Sequence, residues 1–319
     1  MHSVLLSDYP MLDPEIYREV LGPGVEIHER DLGSGEALLE AAREVDADAV
    51  VTDVHTPVPA TVIEALDLAV IARSAVGIEG IDLGAAAAAG VPVVHCPEYC
   101  TDEVATHALS LVLACARSIP AYDRSVRDGE WAWGATRELH RLRGQTIGML
   151  AFGPIARRFA ELVSGFDCRL LAHDPYVEAE TMADYGVERV DFETLLDDSD
   201  VLSVHAPLTD DTRGMLDGDA FERLGPGAIL VNTGRGAVID EDALVAALES
   251  GQVASAGLDV LTEEPPKDSP LVGREDTIVT PHAGWYSEEA RRDVNETVAR
   301  DVKRVLDGQA PENEVDESW

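Results

Sequence analysis

Lysine is nearly missing from this chain, with two among 319 residues, Lys267 and Lys303. Arginine makes up the rest of 24 basic residues against 61 acidic ones, for a formal net charge of −37. A surface so short of positive charge repels phosphate backbones and anionic headgroups, so neither a nucleic-acid partner nor a membrane partner is expected. No run of 18 or more apolar residues occurs, and the opening MHSVLLSDYP has no basic stretch ahead of its apolar one. Neither a membrane span nor a secretory signal is expected, and the location expected is cytoplasmic. Cysteine is sparse: Cys96, Cys100, Cys115 and Cys168 suit a reducing compartment as small core residues. The first two lie near His95 and His107, but the spacing fits no zinc pattern, and no metal is expected.

What is abundant is acid, spread through helical stretches and turns rather than gathered in a tail. Such charge destabilises a compact state by self-repulsion, which concentrated salt screens. Short apolar strands alternate with helical stretches: SVLLSD (3–8), VEIHER (25–30), DAVVTD (48–53), LAVIAR (68–73) and VPVVHC (91–96), with helices over 13–21, 36–45 and the alanine run ending at Gly90. A long helix is expected from an N-cap at Thr101 or Asp102 through EVATHALSLVLACARSI, residues 103–119. The alternation restarts at Thr146 with IGMLAF, CRLLAH, DVLSVH, GAILVN, VASAGLDV and DTIVT, and a helix near 287–306 closes the chain. This pattern predicts an α/β protein of two doubly wound parallel-sheet domains, one inserted into the other. The expected boundaries are 101–289 for a Rossmann nucleotide-binding domain, and 1–100 with 290–319 for a flavodoxin-like substrate domain.

The segment 146–176 reads as strand, turn, amphipathic helix, strand and acid, the layout of a dinucleotide-binding unit. Of the three glycines in such a fingerprint it keeps the middle one, Gly153, with Ala151 and Ala156 at the flanking positions. Gly153 is the one that lets the backbone approach a pyrophosphate, and alanine is an accepted substitute at the third. At the first, alanine is tolerable only with a negative φ, which is therefore the expectation for Ala151. Pro154 suits the first turn of a helix, whose free amides receive phosphate. Asp174 follows Gly153 by 21 residues, at the distance of an acid that binds ribose hydroxyls and repels a 2′-phosphate, so NAD is expected over NADP.

Three later segments each leave a strand end for a loop: VNTGRGAVID (231–240), GLDVLTEEPP (257–266) and TPHAGWYS (280–287). Arg235 between two glycines can grip a carboxylate with two parallel hydrogen bonds. His282 can hand a proton to a carbonyl oxygen, and Glu264 can hold its imidazole and favour the charged form. With a nicotinamide these parts reduce a 2-oxo acid to a 2-hydroxy acid.

On VGIEGIDLGAA (76–86), the 146–176 unit, HAPLTDDTRGM (205–215) and the three loops, the chain resembles the D-isomer-specific 2-hydroxyacid dehydrogenases over nearly its whole length. CPEYCTDEVATHALSLVLA (96–114) and the H-x-x-W-Y-S ending resemble the branch with the carboxy-terminal binding proteins and phosphoglycerate dehydrogenase-like enzymes, and the composition resembles halophilic archaeal proteins. The resemblance implies Arg235, Glu264 and His282 as catalytic residues. It implies cofactor contacts from Thr106, Ala151, Gly153, Pro154, Ile155, Asp174, His205, Ala206, Pro207, Thr212, Thr233, Gly234, Asp259, Gly284 and Trp285. Substrate would meet Val76, Gly77, Arg235 and His282. Departures are Ala151 for glycine, Pro154 for arginine and Glu79-Gly80 for Asp-Asn. Glu264 argues against formate dehydrogenases, whose relatives carry glutamine there.

Trp285, three residues past His282, would wall the substrate with an aromatic ring, so an acid with an apolar or thioether side chain is expected. The alternatives are a D-3-phosphoglycerate dehydrogenase, without the C-terminal regulatory domain of longer ones, and a non-catalytic NAD(H)-sensing scaffold. Keeping all three catalytic side chains favours the enzyme. The resemblance also implies a homodimer.

Overall fold

The computed structural model describes residues 2–134 and 136–315; residues 1 and 316–319, at the ends of the expected substrate domain, lie outside the described residues, as does Ala135. The chain divides into two compact units, Met1–Tyr99 with Tyr286–Trp319, and Cys100–Trp285.

The first unit runs β1 (His2–Ser7), α1 (Pro14–Leu21), β2 (Val25–Arg30), α2 (Gly35–Val45), β3 (Ala49–Thr52), α3 (Ala60–Ile63), β4 (Val70–Arg73), α4 (Leu83–Ala89) and β5 (Val93–Val94). Its five strands are parallel in the order β2-β1-β3-β4-β5, the flavodoxin-like arrangement. AVVT and VIAR are buried at every position, as a sheet covered on both faces requires. Asp13, Ser34 and Asp82 cap their helices by accepting from backbone amides, and Gly90 ends α4 in the left-handed region at φ 69°. The loop after β4 carries Val76 and Gly77; His95 donates from Nδ1 to the Val76 carbonyl at 2.8 Å. Arg73, fully buried, donates to the carbonyls of Thr56 (2.9 Å) and Glu79 (3.3 Å), tying that loop to the one after β3.

The second unit holds α5 (Thr101–Ala116), α6 (Ile119–Arg127), β6 (Thr146–Leu150), α7 (Pro154–Val163), β7 (Arg169–His173), α8 (Ala179–Ala183), β8 (Glu188–Arg189), α9 (Phe192–Asp198), β9 (Val201–Val204), α10 (Gly218–Arg223), β10 (Ala228–Asn232), α11 (Glu241–Ser250), β11 (Val253–Leu258) and β12 (Thr277–Val279). The closing helix, α12 (Glu288–Leu306), belongs to the first unit, where Val294, Val298 and Val302, four residues apart on one face, enter the core with Val4, Leu6 and Val51.

The seven strands are parallel in the order β12-β11-β10-β9-β6-β7-β8. From β6 the chain crosses to β7 and β8 on one side and then returns past β6 to β9 on the other, so the topological switch point lies between β6 and β9. β8 was not expected, because its two exposed residues carry no apolar alternation.

Two expectations for α5 are corrected. The helix ends at Ala116 rather than running to Ile119; Ser118 is left-handed at φ 48° and α6 starts with Pro120 in its first turn. A proline at 120 has no N–H for a helix continuing from α5 and its ring would meet the carbonyl four residues back, so the chain must restart there. The N-cap is Cys100, whose side chain makes no capping bond, and Asp102 instead sits in the first turn, where its charge suits the helix dipole. No single described helix is long and apolar enough to cross a membrane, and Ala105, Ala108, Leu111 and Val112 of α5 lie in the core of the second unit.

Candidate active site

The turn after β6 overturns one expectation outright. Ala151 has φ 71°, in the left-handed region where a β-carbon is costly. The surroundings impose it: the Ala151 amide donates to the His173 carbonyl at 2.9 Å, the Phe152 amide donates to Asp174 at 2.8 Å, and the Phe152 ring is buried. Ala151→Gly should therefore raise stability by about 1 kcal/mol. Thermal unfolding in molar KCl checks this, and an unchanged or lower midpoint would contradict it.

Gly153 follows with an ordinary φ of −73° and caps α7, with Pro154 in the first turn. A β-carbon at Gly153 would meet nothing of the chain within 4 Å, so the backbone there is open to a close-approaching ligand. Ile155 is half-buried behind it. Asp174 does more than the sequence revealed: its two oxygens accept from the amides of Phe152 (2.8 Å) and Tyr176 (2.9 Å), fastening the turn to the end of β7.

The next strand ends continue the row. His205 follows β9; its Nε2 pairs with the Ser203 hydroxyl at 2.9 Å, and burial pushes the imidazole down to about 4, so it is neutral near pH 7. Its Nδ1 and the Thr233 hydroxyl after β10 are enclosed without a partner among the described residues. Two unsatisfied polar atoms on the adjacent ends of β9 and β10, beside the switch point, are hydrogen-bonding capacity open to a ligand. With the open cradle at Gly153, they fit a dinucleotide. Thr212 spends its hydroxyl on the Pro207 carbonyl at 2.6 Å, closing the loop after β9, and Thr106 is exposed on α5. Among the described residues no cluster of three or more His, Cys, Asp or Glu side chains could hold a metal ion.

The glycines around Arg235 are demanded by close approach. A β-carbon on Gly234 would lie 2.8 Å from the Ala206 carbonyl oxygen, and one on Gly236 only 2.0 Å from the Leu261 carbonyl carbon. The Arg235 loop is thus pressed against the backbone that leads to Glu264. Buried Asn232 sets its shape, donating to the Arg235 carbonyl (3.0 Å) and accepting from the Gly234 amide (2.9 Å).

Glu264 accepts from the Leu261 amide on Oε1 (2.9 Å) and is 2.7 Å from His282 Nδ1 on Oε2. Burial alone would raise its carboxyl, but His282 and the Leu261 amide outweigh that and hold it below the usual value. His282 is itself left-handed at φ 51°, with its amide donating to the carbonyls of Asp259 (2.8 Å) and Thr280 (3.0 Å).

Asp259, 3 % exposed, accepts from the Thr280 hydroxyl (2.6 Å) and the amides of Ala283 (2.9 Å) and Gly284 (2.8 Å). Burial would raise this carboxyl too, but these bonds and His107 hold it below its ordinary range. Trp285 ends the loop half-buried. His107 figures in the sequence only as a neighbour of Cys96 and Cys100 in a spacing that fits no zinc pattern, and a lone histidine on an apolar helix carries no other motif. All the expected catalytic and cofactor residues lie in this unit; of the expected substrate residues, Val76 and Gly77 belong to the first unit.

A family model for the D-isomer specific 2-hydroxyacid dehydrogenase NAD binding domain matches residues 109–284, within the second unit. The chain is 38 % identical over 290 residues to a D-3-phosphoglycerate dehydrogenase of Archaeoglobus fulgidus, covering 90 % of this chain and 55 % of that protein. It thus spans about half the length of the phosphoglycerate dehydrogenases it matches. It is 39 % identical over 283 residues to a glyoxylate reductase of Thermococcus litoralis, covering 86 % of this chain and 85 % of that one. The crystal structure of a glyoxylate reductase from Paecilomyes thermophila superposes with TM-score 0.89 at 29 % identity, over 100 % of this chain and 99 % of that one. The chain belongs to the D-isomer specific 2-hydroxyacid dehydrogenase family and contains its NAD-binding domain.

Proposed function

We propose that the chain is an NAD-dependent D-2-hydroxyacid dehydrogenase, which reversibly reduces a small 2-oxo acid. The observation that carries this is the Glu264–His282 pair at 2.7 Å, on the strand end next to the Arg235 loop. When bound, the nicotinamide supplies the hydride that adds to C2 or takes it back. Arg235 grips the substrate carboxylate and orients the carbonyl. With Nδ1 engaged by Glu264, His282 delivers from Nε2 the proton that turns the carbonyl oxygen into a hydroxyl, and recovers it in the reverse direction. Glu264, kept ionised, stabilises the charge on the imidazole before transfer.

Gly153, Pro154 and Ile155 would receive the pyrophosphate, Asp174 the ribose, and His205 and Thr233 the hydrogen-bonding edge of the cofactor. A carboxylate at Asp174 repels a 2′-phosphate, so NADH is the favoured form. The substrate is an unphosphorylated acid with an apolar or thioether side chain, because the aromatic Trp285 stands three residues past the proton donor. Initial rates in molar KCl with glyoxylate, pyruvate, branched and thioether 2-oxo acids and 3-phosphohydroxypyruvate, each with NADH and NADPH, test this. Expected are a higher kcat/KM with NADH and with an unphosphorylated acid. A clear preference for 3-phosphohydroxypyruvate would make the chain a phosphoglycerate dehydrogenase, and NADH binding without turnover a scaffold.

The same chain pairs with a second copy through α6 and the loop after it, where Ile119, Val126, Trp131 and Trp133 expose apolar surface, both tryptophans to 91 %. A sedimenting mass near the single-chain 34.2 kDa would overturn this.

A further inference from the structure

His282 occupies a backbone conformation that costs energy and persists only while its surroundings over-determine it. The group that does so is Asp259: its carbonyl accepts from the His282 amide, and its carboxylate accepts from the next two amides and from the Thr280 hydroxyl just before. A buried carboxylate keeps one orientation only if its lone pairs are satisfied. One further donor is within reach. His107 on α5 places Nε2 at 2.9 Å from Thr280 Oγ1 and 3.4 Å from Asp259 Oδ1. The proton assignment follows: Thr280 Oγ1 gives its only proton to Asp259 at 2.6 Å, so toward His107 it accepts and Nε2 carries the proton. The packing is equally close, since a β-carbon on Gly284 would lie 2.8 Å from Asp259 Oδ2 and 3.4 Å from His107 Cδ2.

We propose that His107 is a positioning residue for the proton donor, fixing His282 through Thr280 and Asp259. This rests on His282 being the donor of the proposed reaction. His107 touches neither His282 nor Glu264; it holds the carboxylate that holds the loop. Its partners are α5 on one side and the strand ends of β11 and β12 on the other, so the imidazole of His282 is registered against the core helix of the unit rather than against a free loop. A misplacement of about 1 Å is enough to cost about 10²-fold in rate, which is what the brace prevents.

The test compares His107→Leu with His107→Gln, whose amide nitrogen can donate from near the Nε2 position. His107→Leu should lower kcat by about 10- to 100-fold, with little change in the KM for the 2-oxo acid or in NADH affinity by fluorescence. His107→Gln should recover most of the loss. Amide exchange read by mass spectrometry should be faster in the leucine variant across 280–285 and unchanged elsewhere in the second unit. Wild-type kcat in His107→Leu, or exchange that rises throughout the unit, would overturn the proposal. Equal loss in both variants would also overturn it, since the donated bond would then not be what matters. An inactive wild type would instead sink the function proposed above while leaving the exchange result to be read on its own.

Discussion

His282→Ala is expected to lower kcat by about 10³-fold, near the middle of the range for a general acid, while NADH affinity stays within a few-fold. The reason is geometric. Nδ1 of His282 is fixed by Glu264 at 2.7 Å, which leaves Nε2 to meet the substrate, and no other described imidazole shares that anchorage. Alanine and histidine carry the same β-carbon, so the left-handed backbone at φ 51° is no worse for the variant, and the loop bonds run through amides and Asp259. Loss of activity therefore reports chemistry rather than unfolding. Glu264 adds a pH signature. Its folded pKa lies below the 4.5 of a free glutamate, so the carboxylate that steadies the imidazole persists as pH falls to that value. In initial rates the acid-side loss of kcat/KM attributable to Glu264 should lie below pH 4.5. Wild-type-like turnover in His282→Ala would remove this residue from the reaction.

Arg235→Lys should lower kcat/KM for a 2-oxo acid by about 10²-fold, mostly through KM, as a planar fork that grips both carboxylate oxygens gives way to a point charge. At about 1.4 kcal/mol per decade that is about 3 kcal/mol of transition-state binding. The charge is conserved, so an electrostatic role at a distance would leave kcat/KM nearly unchanged, and only bidentate recognition predicts the loss. The loop loses one bond, from Arg235 Nη1 to the Gly234 carbonyl at 3.0 Å, and keeps the others. Asn232 holds it by the Gly234 amide and the Arg235 carbonyl, and Gly236 seats it on the Leu261 backbone, none of which involves the guanidinium. Kinetics with a saturating cofactor and varied acid decide the matter, and a lysine variant within about twofold of wild type would contradict carboxylate binding.

Much of the fold was legible because parallel strands buried on both faces read as unbroken apolar runs, such as AVVT and AILVN, with helical stretches between them. The break in α5 was legible in principle, since Pro120 was there to be read, but the apolar periodicity before it was allowed to run on. Ala151 was misjudged for a different reason. Sequence states that a β-carbon dislikes positive φ; it does not state that the His173 carbonyl, Phe152 and Asp174 together force one. The proposed catalytic trio was legible because each member stands in a motif at a strand end. His107 was not, because its role arises from a contact 173 positions away along the chain, at Thr280.

This chain is expected to move hydride between NADH and C2 of a 2-oxo acid, with one handedness. The most direct measurement is product analysis after incubation with NADH deuterated at both C4 positions and the best acid of the panel other than glyoxylate, by chiral chromatography and mass spectrometry. The account predicts a single D-2-hydroxy acid carrying one deuterium at C2. An L-acid, a racemate or product without the label would contradict it.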